Sequence, residues 1–258
     1  MTSTIVQVYA QTGQRAAAHA FLDDILAEDP RDPEALRLRG VLLQLDGEEA
    51  KAIEAFRAAI ESNPADPTSY LALAAVHQAA GRGAEAGAVL AEGLAANPEN
   101  PLLLLTHADE LTRQGDHAGA LAAFEKLYTM RPDSVVAANN LASVLSEHYA
   151  QDPEKMARAA KVARRLAGVQ SPQIQDTYGW IQFLQGKPDE ALRSLIPAAE
   201  GLPENPWVRY HIGMAYAALG QTEEARGHLE AALELAEGQP FTPAEQVRAE
   251  IDRLGAMQ

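Results

Sequence analysis

Residues that could do chemistry are few and dispersed in this chain. Its 258 residues include seven histidines and no cysteine, which excludes thiolate nucleophiles, disulfides and cysteine-ligated metals together. The histidines do not fall at metal-ligand spacing, so no metal and no cofactor is expected. Carboxylates do occur in pairs, Asp189-Glu190 and Glu223-Glu224 among them, the raw material of acid–base catalysis. They recur where a helix is expected to begin, however, and there negative charge answers the helix dipole. A phosphate-binding Walker loop, a dinucleotide glycine fingerprint, HExxH and Gly-x-Ser-x-Gly are all absent from the sequence. The expectation is a protein without catalytic residues, not an enzyme.

Charge narrows the partners. Lysine and arginine total 21 against 36 aspartates and glutamates, a formal net charge of −15, which repels phosphate backbones and anionic lipid surfaces. Nucleic acid is therefore not an expected partner. One basic run, Lys155, Arg158, Lys161, Arg164 and Arg165, interrupts the acidic chain at helical spacing, and reads as a solvated helix face. The opening MTSTIVQVYAQTGQ lacks a basic segment ahead of a long apolar run, so it is not expected to be a secretory signal. No apolar stretch approaches the ~20 residues of a membrane span, and direct membrane insertion is not expected. The lack of cysteine suits a reducing cytoplasm and an oxidising periplasm equally, so the compartment stays open.

The elements that must position any site are read from period. Small residues recur at Gly40, Ala74, Ala108, Ala142, Gly179 and Gly213, and again at Ala18, Ala52, Ala86, Ala120, Ala157, Ala191 and Ala225; both columns step by 34 residues with one step of 37. Between them stand Gly13, Gly47, Gly81, Gly115, Gly186 and Gly220, where a tight helix-to-helix turn needs backbone freedom. Pro33, Pro67, Pro101, Pro172 and Pro206 each follow a capping residue, Asp32, Asp66, Asn100, Ser171 and Asn205, the pattern of a helix start. Helices pack closely only where side chains are small, and Leu73, Phe56, Phe124 and Leu229 are placed to fill the adjoining grooves. The 37-residue step assigns three extra residues to a longer loop around HYAQDPEK, where the turn glycine is missing. At the far end Thr242, Pro243 and Glu245 read as a capping box opening a solvating terminal helix.

Period, paired small slots and proline punctuation resemble the tetratricopeptide repeat family over nearly the whole chain. In one unit Tyr178-Gly179 matches the Leu-Gly pair of the first helix, Gly186 the turn, Ala191 the small slot of the second helix and Leu195 its large apolar slot, and Pro203 closes the unit. The resemblance implies an all-α fold, a right-handed α-solenoid of about seven helix pairs plus a C-terminal capping helix. The whole chain, 1–258, is then one domain with units near 1–32, 33–66, 67–100, 101–134, 135–171, 172–205 and 206–239, and a capping helix over 242–255. His77 and His107 fall in the family's tyrosine-type and leucine-type slots and are expected to pack.

The family's first helices line a concave surface, and that register gives the binding candidates: Asn139, Asn140 and Ser143, then Asp176, Trp180 and Phe183, then Trp207, Tyr210, His211 and Met214. Aromatic anchors carry much interface energy, and asparagines can bond an extended peptide backbone. Earlier units offer a blander lining, including Thr68, Leu71, Leu105 and Asp109. Asn140 occupies a slot of the family's carboxylate clamp, but the clamp's cations are absent, which disfavours chaperone C-termini as ligands. The function expected is a non-catalytic scaffold binding a peptide or protein partner in the groove. The alternative is a carbohydrate-binding or envelope-assembly accessory, with Trp180, Trp207 and Tyr210 stacking on sugars. Self-association through the abbreviated N-terminal unit is a further expectation.

Overall fold

A computed structural model of the chain describes residues 2–238 and 241–256. Among them are fifteen α-helices and no strand. They fall into two compact units, residues 1–130 and 131–258.

The first unit holds four antiparallel pairs: α1 Thr2–Gln11 with α2 Arg15–Glu28, α3 Pro33–Leu45 with α4 Glu49–Ser62, α5 Pro67–Ala79 with α6 Gly83–Ala96, and α7 Pro101–Arg113 with α8 His117–Met130. Each second helix packs on its partner and, in the first three pairs, on the first helix of the next pair. The core is continuous from pair to pair: Ala52 and Phe56 of α4 meet Tyr70, Leu73 and Ala74 of α5, which meet Ala86 and Leu90 of α6 and Leu103 of α7. The small columns have the physical cause expected of them. A Cβ at Gly40 would stand 2.7 Å from the Phe56 ring, a distance real carbon atoms do not tolerate.

The second unit holds three pairs and a terminal helix: α9 Val135–His148 with α10 Pro153–Ala163, α11 Pro172–Leu184 with α12 Pro188–Gly201, α13 Pro206–Ala218 with α14 Thr222–Leu235, then α15 Ala244–Gly255. Leu195 seats against Gly179 as Leu229 does against Gly213. The six turn glycines all adopt φ between +70° and +78°, a region that costs other residues their Cβ clearance.

The capping residues expected from the sequence act as caps with two exceptions. Asp32, Asp66, Asn100 and Asn205 accept hydrogen bonds from backbone N–H groups of the first turn. Ser171 does not cap α11; its hydroxyl pairs with Gln173 Oε1 at 3.0 Å instead. Thr242 likewise does not open the last helix, because residues 241–243 form a turn that carries Pro243 to the cap position of α15, without a side-chain cap.

The fifth pair departs from the expected register. Ala157 is exposed, and the small residue buried in α10 is Ala159, followed inward by Val162, Ala163 and Leu166. Only one extra residue sits in the loop between the helices. That connection, residues 149–152, is only one residue longer than its counterparts, and α9 has 14 residues where the first helices of the second, third, fourth, sixth and seventh pairs have 13. The larger change is in α10, with 11 residues against 14 in every other second helix. The chain leaves the helix early and returns through residues 164–171, where Gly168 takes φ +79°. Burying Leu166 from that turn replaces the lost helical turn's contribution to the core.

Candidate functional site

In the second unit the first helices bring aromatic side chains together. Trp180 of α11 stacks on Phe183 one turn later, with centroids 4.9 Å apart, and on His211 of α13 at 4.2 Å, nearly parallel. Tyr210 and Trp207 stand tilted to His211 at 5.4 and 6.3 Å, and both meet Phe241 edge-on. Asn205 holds the start of α13 by accepting from the N–H groups of Trp207 and Val208, which fixes the direction in which these rings leave the helix. Offset-stacked and T-shaped pairs contribute beyond area burial, so the cluster is a packed aromatic wall.

This wall bounds a cavity of about 620 Å³, within the size range of small-ligand pockets. Trp180, Phe183, Trp207, Tyr210, His211 and Met214 line it, six of the ten residues expected from sequence. Asn139, Asn140, Ser143 and Asp176 do not line it. Asn139 donates to Asn140 at 3.4 Å, Ser143 donates to Glu147, and Asp176 sits behind the pocket wall as the partner of His211. The opposite rim comes from residues that the concave register did not select: Ser146, Glu147 and His148 at the end of α9, Tyr149–Asp152 by position 149–152, and Thr242, Pro243 and Gln246 at the start of the terminal helix. The missing turn glycine at 149–152 was the available signal. In place of the usual tight turn, that connection presents Tyr149 and Gln151 to the cavity.

His211 is the polar centre of the pocket. It is 2% exposed, its Nδ1 lies 2.8 Å from Asp176 Oδ1, and its Nε2 is buried without a hydrogen-bond partner. Burial, with the Glu250 charge adding to it, pushes the Tyr210 phenol up to about 12, so that side chain is a neutral phenol at any physiological pH. The expected packing histidines lie in the first unit: His77 accepts from Arg82 Nε at 3.1 Å, and His107 is half-buried with Nδ1 lacking a partner. Burial lowers the pKa of both. The basic run is partly engaged, with Lys155 on Asp152 and over the Tyr149 ring, and Arg165 on Asp133. Among the described residues no three His, Cys, Asp or Glu side chains gather as a metal site, and no helix is long and apolar enough to cross a membrane.

Paired antiparallel helices on a common period, with one aromatic pocket between first helices, define a helical repeat protein with a ligand-sized cleft. Two tetratricopeptide repeat family models match the chain, one over residues 4–67 and 105–173, the other over 43–108 and 182–240. The chain belongs to the tetratricopeptide repeat family. Solved structures agree on the fold. A tetratricopeptide repeat protein from Parabacteroides merdae is 15% identical with a TM-score of 0.59, the match covering 98% of this chain and 97% of that one. PilF from Pseudomonas aeruginosa is 18% identical with a TM-score of 0.62, over 89% of this chain and all of its own. The APC/C hetero-tetramer Cut9–Hcn1 matches at 14% identity and a TM-score of 0.62, over 96% of this chain and 48% of that one. No curated protein matches the chain. Proteins of this family generally mediate protein–protein interaction and are generally non-catalytic scaffolds.

Proposed function

We propose that this chain is a non-catalytic scaffold whose second unit binds a peptide segment of a protein partner. The observation that supports it most is the 620 Å³ cavity to which Phe183, Trp207 and Met214 present half-buried side chains. Such a wall offers aromatic anchoring area at low entropic cost. Asn140, half-buried on α9, offers its side-chain amide to a longer peptide's backbone. A sugar-stacking role fits less well, because Trp180 is 8% exposed and already stacked on Phe183 and His211, while Tyr210 is 4% exposed. Neither presents an open ring face.

The test is affinity capture from extract with the full chain and with Trp207→Ala, after confirming that the two have the same helical circular dichroism. The expected result is at least one protein retained by the native chain and reduced tenfold or more by the variant. Equal retention by both would overturn the assignment to this pocket, and retention of glycans alone would overturn the peptide reading.

A further inference from the structure

His211 holds a hydrogen-bonding capacity that the folded chain leaves unused. Asp176 Oδ1 lies 2.8 Å from its Nδ1. A carboxylate only accepts, so Nδ1 carries the proton, and in the neutral ring Nε2 is then an acceptor. That atom is buried without a donor, a state that destabilises a folded protein and calls for an explanation. The ring cannot turn to find a donor. Trp180 lies parallel to it at 4.2 Å, and Tyr210 and Trp207 crowd its other sides.

The pocket's charge identifies the missing donor. Glu147 and Asp152 line the cavity, and no lysine or arginine does. Lys155 pairs with Asp152 at 3.4 Å from outside the lining, but the lining itself carries two carboxylates and no cation, and so favours a cation over an anion. The half-buried Trp207 indole adds attraction for a cation. Arginine meets all of these demands at once. Its planar guanidinium can direct one N–H in the imidazole plane to Nε2 and others to carboxylates, and its methylene stem can lie along Trp207 and Met214.

Building on the peptide-binding reading, we propose that the second unit's pocket receives an arginine side chain of the bound segment, which donates an N–H to Nε2 of His211. Asp176 is a positioning residue: it fixes the tautomer and does not touch the ligand.

The experiment uses the full chain throughout. A random fifteen-residue peptide library is panned on it, and enriched peptides are synthesised and titrated by intrinsic fluorescence, since both tryptophans of the chain line the pocket. Enriched peptides are expected to share an arginine whose replacement by norleucine weakens binding at least tenfold. His211→Phe keeps the aromatic stack and removes the acceptor, so it should weaken the arginine peptide similarly and leave the norleucine peptide unchanged. Should His211→Phe fail to fold, as judged by circular dichroism, His211→Leu removes the same acceptor with a smaller side chain, and the arginine peptide loses at least tenfold. An arginine peptide that binds the substituted chains as tightly as the native one overturns the inference. So do enriched peptides without a shared arginine; if those still lose binding on Trp207→Ala, the peptide site itself stands. Peptides insensitive to Trp207→Ala, or no enrichment at all, overturn both.

Discussion

Single polar atoms decide more at this molecule's sites than their number suggests. Glu110 of α7 is 1% exposed yet fully served: Gln78 Nε2 and Gln114 Nε2 donate to its two oxygens at 2.9 and 3.0 Å, and Arg113 pairs with it. Its room comes from Gly83, where a Cβ would lie 2.7 Å from Glu110 Oε1. His107, three residues earlier on the same helix, is the opposite case, with a buried Nδ1 that nothing answers. Burial lowers its pKa, with Glu110 and Asp116 opposing. Because the folded value lies below the unfolded one, the neutral ring's stability is fully present above about pH 6.5 and is lost as pH falls from there through the lowered folded value. His107→Leu should therefore stabilise the chain by about 1 kcal/mol at pH 7, and urea unfolding should show the advantage widening toward pH 5. A variant equal to or weaker than the native chain at both values would show that the ring is satisfied in solution.

Among the elements, helix pairing rests on close approach at a few positions and ignores others of the same residue type. Gly179 in α11 and Gly227 in α14 are both helical glycines. A Cβ at Gly179 would stand 2.7 Å from Leu195 Cγ and 3.0 Å from the Ala191 carbonyl oxygen, whereas a Cβ at Gly227 would meet nothing within 4 Å. The two substitutions to alanine are expected to have opposite signs. Gly227→Ala should stabilise by about 1 kcal/mol through helix propensity alone. Gly179→Ala should destabilise by about 1 kcal/mol after the same gain, since overpacking against backbone costs about 1–3 kcal/mol. Thermal unfolding of the two variants beside the native chain measures both, and a shared sign would refute the packing account. The fifth pair shows the same rule from the other side. Ala157 matches the sequence column, but Ala159 is the residue that packs, because residues 149–152 and the short α10 rotate the helix's inward face by two positions.

For the whole molecule, pH dependence is set at both ends. The Tyr210 phenol, raised from 10.0 to about 12 by burial and by Glu250, stays protonated in the folded chain while an unfolded one would ionise. Its raised pKa contributes stability that is fully present below pH 10 and is lost as pH rises through about 12. Across that interval the native chain should lose roughly 2–3 kcal/mol more than Tyr210→Phe, read as the difference between their urea midpoints from pH 9 upward. Parallel decline of the two would place the alkaline transition elsewhere. The formal charge of −15 acts over the same range, but it is shared by both proteins and cancels in the comparison.

The period of the small residues, the turn glycines and the proline-marked starts were readable from the chain because each is enforced locally. A glycine at φ near +75° and an Asp-Pro helix start are consequences of backbone sterics and of unpaired N–H groups, whatever packs around them. The aromatic wall was readable too, since Trp180, Phe183, Trp207, Tyr210, His211 and Met214 follow one helical register. Three things were settled only by tertiary structure. The pocket's opposite rim comes from residues 149–152 and from the start of α15, which lie some ninety residues apart in sequence. The inward face of α10 depends on how its shortened helix docks, which no column of alanines records. The pairing of His211 with Asp176, 35 residues apart, joins two side chains by an inter-helix distance. Such distances follow from how closely whole helices approach, and that is a sum over many contacts that no short stretch of sequence contains.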